Sequence, residues 1–130
     1  MKSCMILDDS SVIRKVARRI LENAGCNVID AADGHEALLM CRERLPDVII
    51  VDWTMPGMSG IEFITAFRET FGTHTQNTAL IYCTYEMDIP SMTKAKRAGA
   101  THFFMKPFDQ KTMLAKLAEV GIVGSASVAA

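Results

Sequence analysis

The alternation of short apolar runs with longer amphipathic segments is the feature that most constrains the fold of this chain. The run 48–51 is Val-Ile-Ile-Val, and Asp52 follows it. An unbroken run of β-branched residues is typical of a strand that is covered on both faces, as in a parallel sheet. The segment 10–25 instead repeats apolar residues at helical spacing, with charged residues between them, and predicts an amphipathic helix. The apolar residues of this helix fall on one face, namely Val12, Ile13, Val16, Ala17, Ile20 and Leu21.

The same two patterns recur along the chain and predict five strand–helix units. Strands are expected over 4–7, 27–31, 47–51, 79–83 and 101–105, and helices over 10–25, 36–45, 61–71, 89–98 and 110–119. A turn is expected at 33–34 and a polar loop at 72–78. Strands that alternate with helices form parallel sheets through right-handed crossovers, with helices on both faces. We therefore predict an α/β fold built on a doubly wound, five-stranded parallel sheet.

Length and composition predict one folded domain. The chain has 130 residues, of which 49% are hydrophobic and 22% charged, so it can form one core and has little room for a second. We expect the domain to span 1–120 and a flexible tail of mainly small residues to span 121–130. Because no output domain fits in this length, we expect a stand-alone protein.

Charge, hydropathy and cysteine usage argue against several classes of protein. The formal net charge of −1 is unlike that of a nucleic-acid-binding surface, which needs clustered Lys and Arg. No apolar run approaches the ~20 residues that span a membrane, and the N-terminus does not resemble a signal peptide. The four cysteines form no Cys-X-X-Cys pair, so we expect buried free thiols and no zinc site. These features together predict a cytoplasmic protein that binds neither nucleic acid nor membrane.

Polar and charged residues follow four of the five predicted strands. Asp8 and Asp9 follow the first strand, Asp52 the third, Thr84 the fourth and Lys106 the fifth. The carboxyl ends of parallel strands lie at one edge of the sheet, where α/β proteins bind their ligands. We therefore expect three carboxylates, a hydroxyl and an ammonium group to meet in one crevice.

This combination of groups predicts a divalent cation and phosphoryl chemistry. Three neighbouring carboxylates repel one another and would raise their own pKa values unless a cation shared the site. Oxygen ligands favour Mg²⁺, with Mn²⁺ as an alternative. A carboxylate beside such a cation can attack phosphorus, while Lys106 and Thr84 bind other oxygens of the transferring group.

The order and spacing of these motifs resemble the receiver domains of two-component response regulators, in particular the single-domain, CheY-like type. The resemblance rests on the pair Asp8-Asp9, the segment 52–60 (Asp-Trp-Thr-Met-Pro-Gly-Met-Ser-Gly), Thr84, and the segment 106–108 (Lys-Pro-Phe). It covers residues 2 to about 120. It implies a flavodoxin-like fold with the strand order 2-1-3-4-5 and a phospho-acceptor rather than a turnover enzyme.

The resemblance also implies a role for each residue of the acidic site. Asp52 corresponds to the aspartate that accepts the phosphoryl group, with Lys106 as the family's lysine. Asp9 corresponds to a direct Mg²⁺ ligand, Asp8 to the acid that holds metal-bound water, and Thr54 to the residue whose backbone carbonyl is a further ligand. The bond between Lys106 and Pro107 is expected to be cis.

A switch and two kinds of partner follow from the same resemblance. Thr84 corresponds to the hydroxyl that moves toward the phosphoryl group, and Phe103 to the aromatic side chain that then turns inward. The donor would be a sensor histidine kinase or a histidine phosphotransfer protein, which the basic residues Arg14, Lys15, Arg18 and Arg19 could contact. The target would be a protein bound by the face of the fourth helix, fifth strand and fifth helix. We expect a monomer that serves chemotaxis or a phosphorelay.

Tyr85 departs from the family pattern, because many receivers carry a small residue directly after the switch hydroxyl. A bulky ring at this position would limit access to the phosphorus atom. We therefore expect slow phosphorylation by small donors.

Three alternatives stay open on the sequence alone. A haloacid-dehalogenase-like phosphatase also uses a strand-end aspartate and Mg²⁺, but the chain is short for that fold and lacks a cap insertion. A flavin-binding electron carrier would need a phosphate loop where 8–12 is Asp-Asp-Ser-Ser-Val. A degenerate receiver would act as a binding module that does not depend on phosphorylation.

Overall fold

Five strands alternate with five α-helices in a computed structural model of the chain, which describes residues 2–123. The strands are β1 Ser3–Leu7, β2 Asn27–Ala31, β3 Val48–Asp52, β4 Ala79–Thr84 and β5 His102–Met105. The helices are α1 Ser11–Asn23, α2 Gly34–Glu43, α3 Gly60–Phe71, α4 Ile89–Ala98 and α5 Gln110–Glu119. A short 3-10 helix, Gly72–Thr75, joins α3 to β4.

The strands form one parallel sheet in the order β2-β1-β3-β4-β5. This order and the helices on both faces confirm the predicted doubly wound, flavodoxin-like fold. Helices α1 and α5 pack on one face, against strand residues such as Ile6 and Ile50. Helices α2, α3 and α4 pack on the other, against residues such as Leu7 and Val51. Every residue of β3 is buried, as its β-branched run predicts for a strand covered on both faces.

The apolar face of α1 is only partly buried. Ala17, Ile20 and Leu21 lie in the core, but Val12 is 68% exposed and Val16 is 48% exposed. Helical spacing places all these residues on one side of α1, whereas the neighbouring elements cover only part of that side. The first two turns of α1 therefore present an apolar surface to solvent.

Two segments predicted as irregular are ordered. The predicted turn at 33–34 is the start of α2, because the Asp33 side chain accepts a hydrogen bond from the Glu36 amide and caps the helix. Part of the predicted polar loop at 72–78 is the 3-10 helix. The segment 72–78 contains two buried threonines, Thr75 and Thr78. The Thr75 hydroxyl donates to the Gly72 carbonyl, and the Thr78 hydroxyl donates to the Pro46 carbonyl. Local hydrogen bonds thus order segments whose composition is polar.

The end of the described chain packs onto the domain. The Ile122 amide donates to the Leu117 carbonyl, and Ile122 and Val123 contact the core on the side of α1 and α5. The expected tail begins at Gly121, and its remaining part, 124–130, lies outside the described residues. Within residues 2–123, no helix is long and apolar enough to cross a membrane. All four cysteines are buried and unpaired.

Candidate functional site

Three carboxylates meet at the carboxyl edge of the sheet, as the strand ends predict. Asp8 and Asp9 follow β1, Asp52 ends the neighbouring strand β3, and one oxygen from each lies within 4.8 Å of the others. Asp8 and Asp52 are buried, whereas Asp9 is exposed. The cluster therefore combines two carboxylates that belong to the interior with one that faces solvent.

Lys106 links the two buried carboxylates. Its Nζ donates hydrogen bonds to Asp8 Oδ2 at 2.7 Å and to Asp52 Oδ1 at 2.8 Å. Lys106 follows the edge strand β5 and is only 5% exposed. Because Asp8 follows β1 and Asp52 ends β3, the Lys106 side chain reaches past the end of β4 to contact them. A cis peptide bond joins it to Pro107, as expected.

Burial and charge act on this pair in opposite directions. Burial raises the pKa of Asp52, the hydrogen bond from Lys106 lowers it, and the charges of Asp8 and Asp9 raise it again, so that the net pKa is raised. Burial alone would lower the pKa of Lys106, but its bonds to Asp52 and Asp8 raise that pKa above its ordinary value. Lys106 therefore stays an ammonium ion. Its charge does not fully offset the burial and the neighbouring carboxylates that raise the pKa of Asp52.

The cluster fits a hard divalent cation. Its donors are carboxylate oxygens, which Mg²⁺ and Mn²⁺ prefer, and the exposed Asp9 leaves an approach from solvent. One ammonium cannot neutralise three carboxylates, so a cation would reduce the repulsion that raises the pKa of Asp52. Asp8, Asp9 and Asp52 are the side chains that could hold it.

The main chain around Asp8 is fixed on several sides. The Asp8 amide donates to the Ala31 carbonyl on β2, and Asp8 Oδ1 accepts a hydrogen bond from the Ser10 amide. Arg14, in the first turns of α1, donates from its guanidinium to the Asp8 carbonyl at 2.7 Å. The segment that carries the acidic pair is therefore held by both β2 and α1.

Among the hydrogen bonds of residues 2–123, the Thr84 hydroxyl makes none with the acidic cluster. Thr84 Oγ1 donates to the Glu86 carbonyl at 3.2 Å and accepts from the Glu86 amide at 3.2 Å. Phe103, on the next strand, is half-buried, and its ring packs edge-on against the Tyr82 ring at a centroid distance of 6.3 Å. The two predicted switch residues thus lie on adjacent strands. Thr84 is hydrogen-bonded to the loop after β4, and Phe103 packs against Tyr82 on β4.

Tyr85 lies beside Lys106, so a bulky ring stands next to the site, as the sequence predicts. Lys106 Nζ lies 5.6 Å from the centre of the Tyr85 ring, within the range of a cation–π interaction. Tyr85 is nonetheless 56% exposed. It lines an open groove of about 290 Å³ together with Val12, Ile13, Val16, Lys106, Pro107 and Phe108. Lys106 therefore has the acidic cluster on one side and an apolar groove on the other.

Gly60 contributes to the site in a way that the sequence alone does not indicate. A Cβ atom added to Gly60 would lie 2.3 Å from the Asp52 carbonyl oxygen and 3.0 Å from Trp53 Cα. The Gly60 amide also donates to the Trp53 carbonyl. The start of α3 therefore packs directly against the main chain of Asp52, and this contact leaves no space for a side chain.

The substitution Gly60→Ala should displace the main chain at Asp52 and lower the free energy of unfolding by about 2 kcal/mol. Gly34→Ala is the matched control, because Gly34 also begins a helix. Its added Cβ would meet the Sδ atom of Met58, at the end of a flexible side chain that can move. Urea unfolding measures both losses, and equal losses in the two variants would contradict the close packing of Gly60 on Asp52.

The substitution Lys106→Met should lower the free energy of unfolding by about 3 kcal/mol at neutral pH, because it leaves Asp8 and Asp52 buried without a counter-charge. The loss should shrink as the pH falls, since a protonated Asp52 no longer needs the ammonium. Lys116→Met removes a surface pair with Glu119 and should cost less than about 0.5 kcal/mol. Urea unfolding without divalent cations measures these losses. A Lys106→Met loss no larger than the control loss would refute the assigned role of the ion pair.

Comparison with known proteins shows the family of the chain. Residues 4–118 match the response regulator receiver domain family. The chain is 30% identical over 117 residues to the chemotaxis protein CheY-3 of Vibrio cholerae, covering 89% of this chain and 88% of that protein. It is 29% identical over 110 residues to protein PilG of Pseudomonas aeruginosa, covering 85% of this chain and 80% of that protein.

A solved structure shares both the fold and part of the sequence. The chemotaxis protein CheY4 of Vibrio cholerae superposes with a TM-score of 0.87 at 36% identity, over 92% of this chain and 98% of that one. Receiver domains are phospho-acceptor signalling domains rather than turnover enzymes, and they bind Mg²⁺ at a cluster of aspartates. Asp8, Asp9 and Asp52 form a cluster of aspartates in this structure. The chain belongs to the response regulator receiver domain family and is CheY-like in sequence and fold.

Proposed function

We propose that this protein is a phospho-acceptor whose Asp52 takes a phosphoryl group from a phosphohistidine. The observation that carries the proposal is the ammonium of Lys106 held between Asp8 and Asp52 beside the exposed Asp9. This arrangement supports the proposal, because a carboxylate beside an ammonium and two further carboxylates is suited to act as a nucleophile with a bound cation. The acceptor domain corresponds to residues 1–120, acting as a monomer in the cytoplasm.

The transfer needs only a change of bonds at phosphorus. An Asp52 carboxylate oxygen forms a bond to phosphorus while the bond from phosphorus to the donor imidazole nitrogen breaks, and the imidazole keeps that electron pair. Lys106, already 2.8 Å from Asp52 Oδ1, supplies positive charge for an oxygen of the transferring group. Bound Mg²⁺ would neutralise further charge on those oxygens. Asp9, Asp52 and the Thr54 backbone carbonyl would hold it directly, and Asp8 would hold it through water.

Before the proposed switch, Thr84 is hydrogen-bonded to Glu86 and Phe103 packs against Tyr82. To reach a phosphoryl group on Asp52, the Thr84 hydroxyl has to give up its hydrogen bonds to the Glu86 main chain. This frees the loop between β4 and α4, and Phe103 can then turn inward from its contact with Tyr82. Phosphorylation would shift the population toward this arrangement, in which a protein target binds the face of α4, β5 and α5.

The donor surface we propose is narrower than the whole basic face of α1. Arg14 and Arg18 are engaged, because they bind the carbonyls of Asp8 and Val28 and pair with Asp30. Lys15 and Arg19 are exposed, and within residues 2–123 neither makes an ion pair. They lie on the helix that presents Val12 and Val16 beside the groove at Lys106. This surface suits a kinase or phosphotransfer helix with an apolar stripe and acidic neighbours.

Family membership favours this function over the phosphatase and flavin alternatives. The names of relatives include chemotaxis proteins, and a diffusible chemotaxis-type messenger is the use we propose, with a phosphorelay intermediate as the second. A pull-down with and without beryllofluoride would separate the two by the partner captured.

Trp53 fluorescence tests whether the site is a working receiver. Trp53 directly follows Asp52 and is partly exposed, so its emission should respond to binding at the cluster. We expect a change on adding Mg²⁺ and a second change on adding beryllofluoride, a phosphoryl mimic, with the second change lost in Asp52→Asn. Calorimetry checks for silent binding. No binding of either ligand would show instead a degenerate receiver that acts without phosphorylation.

The substitution Tyr85→Ala should speed phosphorylation by acetyl phosphate. The Tyr85 ring stands beside Lys106 and shields one side of the site, so its removal widens the approach for a small donor. We expect an increase of about tenfold in the rate, measured by mass spectrometry of the intact protein, whereas Tyr85→Phe should keep the wild-type rate. An unchanged rate in Tyr85→Ala would show that the ring does not limit access.

A further inference from the structure

Arg14 occupies an unusual place for a residue on a basic helix face. Its guanidinium turns back from α1 to the loop after β1 and donates to the Asp8 carbonyl at 2.7 Å. Its side chain is largely buried, and its Nε atom lies 3.9 Å from the Asp30 carboxylate on β2. Among the residues that the structure describes, no other group donates a hydrogen bond to this carbonyl. Arg14 is therefore fixed at both ends of its guanidinium.

The Asp8 carbonyl belongs to the peptide plane that joins Asp8 to Asp9. Because a peptide bond is planar, a fixed carbonyl also fixes the Asp9 amide and limits rotation about the bonds on either side of the plane. The Asp8 side chain is held independently by Lys106 and by the Ser10 amide. Asp9 is exposed and makes no such side-chain bond within residues 2–123, so its direction depends on its main chain.

We propose that Arg14 is a positioning residue of the acidic site, which fixes the peptide between Asp8 and Asp9 and thereby aims the Asp9 carboxylate at a divalent cation. The inference rests on the proposed function, because it takes the cluster as a cation site. Groups that orient metal ligands without touching the metal typically contribute ten- to a hundredfold in affinity. Arginine suits the task, since its fork can serve the Asp8 carbonyl and Asp30 together.

Arg18 provides a matched control on the same helix. Like Arg14, it donates to a backbone carbonyl, that of Val28, at 3.0 Å and pairs with Asp30. Unlike Arg14, it contacts no residue of the acidic cluster. A general loss of the bond between α1 and β2 would therefore appear in both variants, whereas a loss of positioning would appear only at Arg14.

The first arm measures binding of Mn²⁺ alone by calorimetry in Arg14→Met, Arg14→Lys and Arg18→Met. Arg14→Met should raise the dissociation constant about tenfold, Arg14→Lys should recover part of that loss, and Arg18→Met should bind as the wild type does. Equal weakening in Arg14→Met and Arg18→Met, or none in either, would overturn the proposal. Arg14→Lys keeps the measurement informative if Arg14→Met does not fold.

The second arm measures hydrogen exchange at the Asp8 amide, without any metal. This amide lies in the peptide directly before the one that Arg14 binds, and it donates to the Ala31 carbonyl. It should exchange at least about tenfold faster in Arg14→Met than in Arg18→Met if Arg14 holds the segment 8–9, because both peptides share the Asp8 Cα atom. Equal exchange would overturn the positioning role. A wild type that binds no Mn²⁺ would overturn the cation site of the proposed function, and the exchange comparison would still decide whether Arg14 holds this segment.

Discussion

The hydrogen-bonded ion pair of Lys106 with Asp8 and Asp52 is the interaction on which the site depends. It joins the ends of β1, β3 and β5, so it sets the positions of the carboxylates relative to the edge strand. Two buried carboxylates would repel one another without this ammonium. Because Lys106 reaches past the end of β4, the residues there, Thr84 and Tyr85, lie next to its path. Asp52, Thr84 and Tyr85 thus lie around the side chain of Lys106.

This arrangement leaves an excess of negative charge at the site. Burial and neighbouring charges raise the pKa of Asp52, and a single ammonium does not neutralise three carboxylates. A site of this kind gains from a divalent cation, which both relieves the repulsion and prepares the carboxylate for attack on phosphorus. In the proposed switch, the Thr84 hydroxyl would give up its two hydrogen bonds to the Glu86 main chain.

The order of elements and the charged strand ends could be predicted because they depend on local pattern. The β-branched run before Asp52 fixes a buried strand, and parallel strands bring their ends together whatever the details of packing. Packing-dependent features could not be predicted. Helical spacing does not reveal that Val12 and Val16 lie beyond their neighbours' cover, nor that Gly60 touches the Asp52 carbonyl. The sequence predicts Arg14 as part of a basic surface, whereas in the structure its guanidinium donates to the Asp8 carbonyl.

Locating the phosphoryl group tests most directly whether Asp52 is the acceptor. The protein would be incubated with a small phosphodonor and Mg²⁺, treated with borohydride to convert an acyl phosphate to a stable alcohol, and mapped by peptide mass spectrometry. We expect a donor-dependent modification at Asp52 alone, absent from Asp52→Asn and present in an Asp33→Asn control, because Asn can replace Asp33 as the cap of α2. Modification at another residue, or its persistence in Asp52→Asn, would contradict the assignment of Asp52 as the acceptor.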